Sequence, residues 1–298
     1  MFENIERFLQ KKSGKPKIIV IYWPTACWKT GLSIEIAKKL DTQIISTDSR
    51  QIYKYLNIWT WKVTEDEKSW IPHHMLDIIT PDKSYSVWEF KKEAEKIIAE
   101  IHSKWKIPVL AWGTGLYIDS LIFDFNIPKV PADLDLRKKL EEEANIYWKE
   151  VIYEKLKQID GEYAKELHPN NLNYVIRAIE VKTITWKSKS EFREEKKLKY
   201  DTLLLTPFNW DREALYQKIN LRVSMMFDDW LVEEVKNLLN MWYKESDIWL
   251  KTIWYEEVVS YLKWEISEEE CLNLVRQHNR NYAKRQLTWF RKYEEFLE

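Results

Sequence analysis

Eight consecutive residues near the N-terminus have the spacing of a phosphate-binding loop: Trp23, Pro24, Thr25, Ala26, Cys27, Trp28, Lys29 and Thr30. With glycine at positions 23 and 28 they would match G-x-x-x-x-G-K-T, in which backbone amides, a lysine and a hydroxyl hold phosphate groups and Mg²⁺. Glycine is needed there because the backbone takes unusual φ values and approaches the phosphate oxygens closely. The pattern predicts that Lys29 contacts the terminal phosphates and that Thr30 binds Mg²⁺.

Tryptophan at the two glycine positions conflicts with this chemistry, because an indole ring fills the space that a phosphate needs. The bias extends along the chain, since its 5 glycines and 17 tryptophans together make up about 7% of the residues, the usual share of glycine alone. Bacteria differ in how they use UGA, and we infer that UGA codons meaning glycine were translated as tryptophan. The suspect residues are then those at turns and phosphate contacts, namely Trp23, Trp28, Trp59, Trp61, Trp70, Trp112, Trp230 and Trp254.

Three other tryptophans are treated separately. Trp289 lies in an aromatic and basic segment and is expected to be genuine, whereas Trp88 and Trp210 fit either assignment. The alternative to the whole inference is a protein that is naturally rich in tryptophan.

Two polar side chains follow apolar runs further along the chain. Asp48 follows the run 43–47 and opens the segment Asp-Ser-Arg-Gln-Ile-Tyr, and Thr114 lies in Ala-Trp-Gly-Thr-Gly-Leu-Tyr at 111–117. Ligands of open α/β sheets gather at the carboxyl ends of strands. Asp48 could act there as a general base or metal ligand, or it could cap a helix. The amides around Thr114 could form a second anion site, or an ordinary turn.

The pattern of apolar residues predicts the elements that must position these groups. Short β-branched runs and amphipathic spacing predict strands at 17–22, 43–47, 107–111 and 202–207 and helices at 30–40 and 86–103. This alternation predicts an α/β fold with a P-loop NTPase-like parallel sheet. We expect that core over 1–127 and 201–298, with a helical insertion over 128–200 and a helical C-terminal region. Ser267 and Glu270 form a capping-box pattern for the last helix.

Composition and charge exclude several protein classes. The 298 residues carry a net charge of −1, so nucleic-acid binding would need a local basic patch. No apolar run approaches the roughly 20 residues of a membrane span, and the polar N-terminus predicts no signal peptide. Two cysteines fit a reducing cytoplasm. Adjacent His73 and His74 point to opposite sides of an extended chain and make a poor metal site.

A basic and aromatic segment near the C-terminus is the candidate nucleic-acid contact. Its members recur at helical spacing: Arg276, Arg280, Tyr282, Lys284, Arg285 and Trp289. Such a face suits contact with a nucleic-acid backbone and stacking on splayed bases. A merely solvated helix face is the alternative.

With glycine at the suspect positions, these motifs together resemble those of bacterial tRNA dimethylallyltransferases, the isopentenyl-tRNA transferase family. The motifs are GPTACGKT, DSRQIY, NIGTGK, GIPHH, AGGTGLY and AKRQLTWFR, in this order. The resemblance runs from about residue 17 to residue 293. Several of these motifs are specific to that family and are not shared with P-loop kinases at large.

The resemblance implies a prenyl transfer in a cytoplasmic enzyme, with a monomer as the simplest expectation. The N6 amine of adenosine 37 in tRNA would attack C1 of dimethylallyl diphosphate, and pyrophosphate would leave with help from Mg²⁺. Asp48 would be the general base, and Lys29, Thr30, Thr114 and Arg222 would hold the diphosphate. The insertion would grip the anticodon stem-loop. The residues implied in tRNA binding are Asp48, Ser49, Arg50, Gln51, Arg137, Asn173, Tyr174, Val175, Ile176, Arg177, Lys251, Tyr255, Arg280, Lys284, Arg285 and Gln286.

Two other functions stay open at this point. A P-loop kinase for a small molecule would use ATP, but it leaves the DSRQIY and GIPHH motifs and the basic C-terminal helix unexplained. The other is a non-catalytic RNA-binding protein whose phosphate loop has decayed. In this hypothesis the tryptophans are genuine, and the protein is expected to bind RNA without turnover.

Overall fold

The computed structural model describes residues 1–25, 29–111, 113–123, 130, 132–192, 197–207, 211–228, 230–245, 247 and 255–296, with only the backbone of residues 29 and 30. Its strands form one sheet and are β1 (Lys17–Ile21), β2 (Ile44–Ser46), β3 (His73–His74), β4 (Val109–Ala111) and β5 (Asp201–Leu205). Their order is β3-β2-β4-β1-β5, and each pair is parallel. The predicted α/β fold with a parallel sheet is therefore confirmed.

The helices connect and flank these strands. In chain order they are α1 (Phe2–Gln10), α2 (Lys29–Lys39), α3 (Glu65–Lys68), α4 (Val87–Ser103), α5 (Gly115–Ile122), α6 (Leu134–Tyr147), α7 (Lys149–Ile159), α8 (Gly161–Ala164), α9 (Leu172–Thr185), α10 (Arg212–Asp228), α11 (Leu231–Asn240), α12 (Tyr255–Leu262) and α13 (Glu268–Phe290). Within the described ranges, none of them has the length and apolar character needed to cross a membrane.

Strand β1, which lies between β4 and β5, has the sequence of a fully buried strand. Its sequence Lys-Ile-Ile-Val-Ile carries four buried side chains in a row, a pattern typical of a parallel strand covered on both faces. Ile19 pairs with Val109 of β4 on one side and with Leu203 of β5 on the other. Both neighbours therefore end at the same edge of the sheet as β1.

The chain divides into two compact units. Unit 1 is Met1–Phe123 with Leu198–Glu298, and unit 2 is Asp124–Lys197. The sequence led us to expect boundaries a few residues later, at 127 and 200. In the part that is described, unit 2 is helical, and its core includes Leu140, Ile152, Leu156, Val175 and Ile176.

The two adjacent histidines form β3, a two-residue edge strand that the sequence did not predict. His73 Nδ1 lies 2.8 Å from the carbonyl oxygen of Ile71, and His74 Nε2 lies 2.8 Å from Gln43 Oε1. Burial lowers the pKa of both imidazoles. A polar pair has no apolar alternation, so its strand conformation comes from pairing with β2 and not from its own pattern.

A buried carboxylate holds the loop at 57–59, part of the NIGTGK motif. Glu234 of α11 accepts backbone N–H bonds from Asn57 at 2.7 Å and from Ile58 at 2.8 Å. The hydroxyl of Tyr255 donates to the same carboxylate at 2.9 Å. Burial raises the pKa of Glu234, and these donors oppose that shift.

We predict that Glu234→Ala lowers the free energy of unfolding by about 3 kcal/mol, because it leaves several buried donors without an acceptor. Glu233→Ala is the matched control, since the neighbouring Glu233 is exposed and pairs with Lys236. Its expected effect is below about 1 kcal/mol. Urea unfolding followed by circular dichroism measures both. Equal losses in the two variants would contradict a structural role for Glu234.

Candidate functional site

The sheet brings three predicted segments to one edge. Trp23–Thr25 follows β1, Asp48 follows β2, and Thr114 follows β4, which lies between the other two strands. The Thr114 amide donates to the carbonyl oxygen of Thr47 at 3.2 Å. The loops after β2 and β4 are therefore joined through the backbone, as the carboxyl-edge rule predicts.

Asp48 is half-buried, and its carboxylate has a fixed orientation. Its Oδ1 accepts the amide of Arg50 at 2.7 Å, and its own amide donates to Ser46 Oγ at 3.3 Å. This short side-chain to backbone bond is a local turn of the kind that aspartate favours. The turn, and not a helix cap, is what Asp48 forms here.

Thr114 bonds to the residue that follows Asp48. Its hydroxyl accepts the Ser49 amide at 3.0 Å and donates to Ser49 Oγ at 3.2 Å. Burial and the negative charge of Asp48 raise the pKa of Tyr282 to about 12, while Thr114 opposes the shift. The Tyr282 phenol of α13 therefore stays protonated at neutral pH beside these two groups.

Arg222 reaches the first loop from α10. Its Nη1 donates to Thr25 Oγ1 at 2.7 Å, and its guanidinium carbon lies 4.9 Å from the centre of the Trp61 ring. A fixed cation is thus placed against the loop that the sequence predicts to hold phosphate. The family resemblance alone had suggested this position for Arg222.

Gln286 lies in the site and differs from its expected role. It was predicted to contact tRNA, but its side chain is buried. Its Oε1 accepts the Thr25 amide at 2.9 Å, and its Nε2 donates to the carbonyl oxygen of Gly113 at 2.7 Å. A Cβ on Gly113 would lie 2.4 Å from that Nε2 and 2.9 Å from the carbonyl oxygen of Trp23, which explains glycine there.

Two other residues of unit 1 expected to contact tRNA are buried. Gln51 donates to the carbonyl oxygens of Thr60 and Trp61, and Tyr255 donates to Glu234. Both side chains stabilise the 57–61 loop, and contact of these two positions with RNA stays a prediction.

In unit 2 the segment 173–177, which is expected to bind RNA, contains both buried and exposed residues. Val175 and Ile176 pack in the core of the unit, so any contact of theirs with RNA would have to be through the backbone, and it stays a prediction. Asn173 and Tyr174 are exposed. One helix turn thus carries both core and surface positions, as an amphipathic helix must.

Two arginines of unit 2 bind a buried carboxylate. Arg137 donates to Glu180 from Nε and Nη2, each at 2.8 Å, and Arg177 pairs with the same carboxylate. Arg177 also donates to the carbonyl oxygen of Val130 at 3.0 Å. Both arginines keep partly exposed side chains. The sequence alone did not reveal this pairing, because Glu180 lies on the buried face of α9.

The remaining predicted residues are exposed or outside the description. Lys284 and Arg285 are exposed on α13, and Arg280 donates to Asn220 Oδ1 at 2.7 Å. The predictions that lie outside the described residues concern Ala26, Cys27, Trp28, Trp112, Trp254, Lys251 and the side chains of Lys29 and Thr30.

An aromatic cluster beside Asp48 was not singled out from the sequence. Burial raises the pKa of Tyr53 and of Tyr117, with Arg50 opposing both shifts. Tyr117 also stacks on Phe90, with ring centres 3.9 Å apart. The available signal was that Tyr53 and Tyr117 each end a motif, DSRQIY and AGGTGLY. In the described part of the chain, no three His, Cys, Asp or Glu side chains cluster as a metal site.

Comparisons with known proteins agree with this geometry. A family model described as IPP transferase matches residues 51–293. A tRNA dimethylallyltransferase of Acetivibrio thermocellus is 47% identical over 279 residues, covering 93% of this chain and 89% of the relative. The crystal structure of a tRNA delta(2)-isopentenylpyrophosphate transferase of Staphylococcus epidermidis has a TM-score of 0.66 at 43% identity, covering 93% of this chain and 90% of the other.

A more distant solved structure extends the likeness. A eukaryotic dimethylallyltransferase, captured acting on tRNA, has a TM-score of 0.78 at 30% identity and covers 92% of this chain and 70% of its own. The residues that the family model matches, 51–293, include Thr114, Arg222 and helix α13. The chain belongs to the IPP transferase family of tRNA-modifying enzymes.

Proposed function

We propose that this chain transfers the dimethylallyl group of dimethylallyl diphosphate to N6 of adenosine 37 in tRNA. The observation that carries the proposal is that Thr114 bonds to Thr47 and Ser49, the two neighbours of Asp48, at the sheet edge where the phosphate loop begins. The family membership adds the reaction type. A small-molecule kinase would leave the DSRQIY and GIPHH motifs and the basic and aromatic helix α13 without a role.

Each chemical step has a residue in this arrangement. The N6 lone pair forms a bond to C1, the C1–oxygen bond breaks, and pyrophosphate leaves with the bonding electrons. The N6 proton goes to Asp48, which is the general base. Arg222, Thr114 and Lys29 hold the diphosphate, where fixed cations and hydrogen-bond donors stabilise the charge that develops on the leaving group.

Mg²⁺ fits this site as a partner of the diphosphate. The described residues offer no cluster of three acidic or imidazole ligands, so the ion would take most of its oxygens from the substrate and water, as Mg²⁺ commonly does. Thr30 is the residue proposed to bind it. The ion would neutralise charge on the leaving pyrophosphate.

The tRNA is proposed to contact exposed and partly exposed residues of both units. In unit 1 these are Ser49, Arg50, Arg280, Lys284 and Arg285, with Lys251 proposed from the resemblance; in unit 2 they are Arg137, Asn173, Tyr174 and Arg177. The target base must leave its stack, because its amine is otherwise unreachable, and the partly exposed Tyr282 offers an aromatic ring near Asp48. A cytoplasmic monomer is the accompanying proposal.

We also propose that glycine is the natural residue at most tryptophan positions, and the backbone supports this. Among the described residues, eight tryptophans have φ between 49° and 75°: Trp61, Trp70, Trp105, Trp148, Trp186, Trp230, Trp242 and Trp264. That region suits glycine, since an L side chain there costs about 1 kcal/mol or more. Trp70 and Trp105 are 100% and 97% exposed, so no packing compensates for the strain.

Helix ends give the most specific support. After α4, the Trp105 amide donates to the carbonyl oxygen of His102 at 2.9 Å, and the Lys106 amide donates to that of Ile101 at 3.2 Å. This pair of bonds is the Schellman motif, whose left-handed residue is usually glycine. Trp105 occupies that position, although the sequence had not marked it as suspect.

Three further helices also end at a tryptophan in the left-handed conformation. Trp242 and Trp264 occupy the left-handed position of Schellman motifs after α11 and α12, and Trp186 forms the simpler single-bond cap after α9. Trp289 behaves differently, because it lies within α13 and its indole packs where a Cβ on Gly115 would be, 2.3 Å away. Trp289 is therefore proposed to be genuine.

These assignments define a glycine form of the chain. It has glycine at the eight suspect positions inferred from the sequence and at the five positions inferred from the backbone, which are Trp105, Trp148, Trp186, Trp242 and Trp264.

We predict that the glycine form transfers label from dimethylallyl diphosphate to tRNA and that the printed chain does not, because tryptophan at 23 and 28 replaces the glycines that a phosphate loop requires. The transfer is measured as label retained with tRNA on a filter after reaction with labelled dimethylallyl diphosphate. Equal transfer by both chains would contradict the glycine assignment. If neither chain labels tRNA but ATP phosphorylates a small molecule, the kinase function replaces the one proposed.

In the glycine form, Asp48→Asn is expected to lower kcat by about 10² to 10⁴, because the general base is lost while the shape is kept. Asp66→Asn, on an exposed position of α3, is the matched control and keeps the full kcat. Steady-state kinetics with varied tRNA separate kcat from KM. A raised KM for tRNA with an unchanged kcat would make Asp48 an RNA contact and not the base.

Single substitutions of the printed chain test the backbone argument. Trp105→Gly, Trp242→Gly and Trp264→Gly are each expected to raise the free energy of unfolding by about 1 kcal/mol, since each relieves a left-handed side chain. Trp289→Gly makes the same chemical change in a packed helix and is expected to lower it by at least about 2 kcal/mol. Urea denaturation gives all four values. Destabilisation by the three helix-end substitutions would contradict the proposal.

A further inference from the structure

One side chain connects the two loops that the proposed function assigns to the diphosphate. Gln286 Oε1 accepts the amide of Thr25 in the first loop, and Gln286 Nε2 donates to the carbonyl oxygen of Gly113 in the second. The two bonds are 2.9 Å and 2.7 Å long, and the carboxamide is buried. A buried amide that satisfies one backbone group on each side acts as a crosslink between them.

The chemistry of this position suits glutamine. It needs one acceptor and one donor at the end of the same side chain, and a carboxamide supplies both. Glutamate would keep the acceptor but would turn an oxygen toward the Gly113 carbonyl. Methionine would keep the volume and supply neither strong bond. The absence of a Cβ at Gly113 makes the close approach of Nε2 possible.

Helix α13 holds this crosslink in place. Ala283 and Phe290 are buried on the same face as Gln286, and the helix starts with a capping box between Ser267 and Glu270. The carboxamide therefore points into the protein, while Lys284 and Arg285 on other faces are exposed. An inward carboxamide cannot read RNA as its exposed neighbours can.

The crosslink acts where spacing matters most. The Thr25 residue that Gln286 binds also accepts a hydrogen bond from Arg222 through its hydroxyl, and Gly113 precedes Thr114. Gln286 thus connects the first loop, whose Thr25 also binds Arg222, with the second loop, which carries Thr114. Its role does not require a direct contact with the diphosphate. A diphosphate that bridges the loops needs its donors placed to within a fraction of an ångström.

We propose that Gln286 is a positioning residue that sets the separation of the two diphosphate-binding loops, and that it is not a tRNA contact. This inference rests on the proposed function for its chemical meaning, although the crosslink itself does not. The loss of both hydrogen bonds weakens diphosphate binding and leaves tRNA binding unchanged.

The test uses Gln286→Met in the full-length glycine form, with pyrophosphate as the probe for the diphosphate site. Calorimetry is expected to give about tenfold weaker pyrophosphate binding, on the scale of a lost buried hydrogen-bond network. The Kd for tRNA, measured by filter binding, is expected to stay within about twofold. Thr288→Ala, at an exposed position two residues on, is the matched control and changes neither constant.

A second variant separates the two bonds. Gln286→Glu keeps the acceptor for the Thr25 amide but loses the donor to Gly113, and it is expected to weaken pyrophosphate at least as much as Gln286→Met. Weaker tRNA binding with unchanged pyrophosphate binding would overturn the proposal and make Gln286 an RNA contact. Unchanged values for both ligands, or equal losses in both, would overturn it as well.

A readout without any ligand distinguishes this inference from the proposed function. Hydrogen exchange of the peptide that contains Thr25 is expected to quicken about tenfold in Gln286→Met and to stay unchanged in Thr288→Ala, because only the first removes the acceptor of that amide. If the parent glycine form binds no pyrophosphate and transfers no label, the proposed function fails while the crosslink is still tested. Unaltered exchange at Thr25 would overturn the crosslink alone.

Discussion

The parallel pairing of β4 between β1 and β2 is the constraint on which the site depends. Backbone hydrogen bonds fix the three strands in register, with Ile21 opposite Ala111 and Ser46 opposite the same residue. The chain must therefore leave all three strands at one edge, within reach of a single ligand. No long-range side-chain contact is required to bring the phosphate loop, Asp48 and Thr114 together, and side chains only refine what the sheet has already placed.

Helix α13 supplies most of that refinement. Tyr282, Gln286 and Trp289 recur at roughly one turn each and face the loops after β1, β2 and β4. Beyond them, Lys292 and Tyr293 bind Asp119 of α5, so the helix that follows the second loop is also held. One long, capped helix thus serves as a rigid support, and its outward cations are left for an external polyanion. The division of labour follows helical periodicity alone.

Much of this fold and site could be predicted from the sequence, and each element or residue that was not predicted has its own physical reason. Strongly apolar runs predicted β1 and β5, and the capping-box pattern predicted where α13 begins. The two-residue strand β3 was missed because its structure comes from pairing with β2. The N-terminal α1 was missed although its own amphipathic pattern, with Ile5 and Phe8 on the buried side, indicates a helix. The burial of Gln51, Tyr255 and Gln286 could not be predicted, because a motif records which residues occur together and not which way each points. Burial decides that, and it is a property of the packed chain.

The contact between Trp289 and Gly115 gives the molecule a built-in optical probe. The glycine form keeps only the indoles at 88, 210, 249 and 289, and that of Trp289 lies directly on the first residue of α5, next to Thr114. Lys292 also lies over its ring, 4.2 Å from the centre, and a nearby ammonium group influences indole emission. Part of the intrinsic fluorescence of the glycine form would then come from beside the loop that carries Thr114, so a ligand that enters that loop could be followed in real time without any added dye.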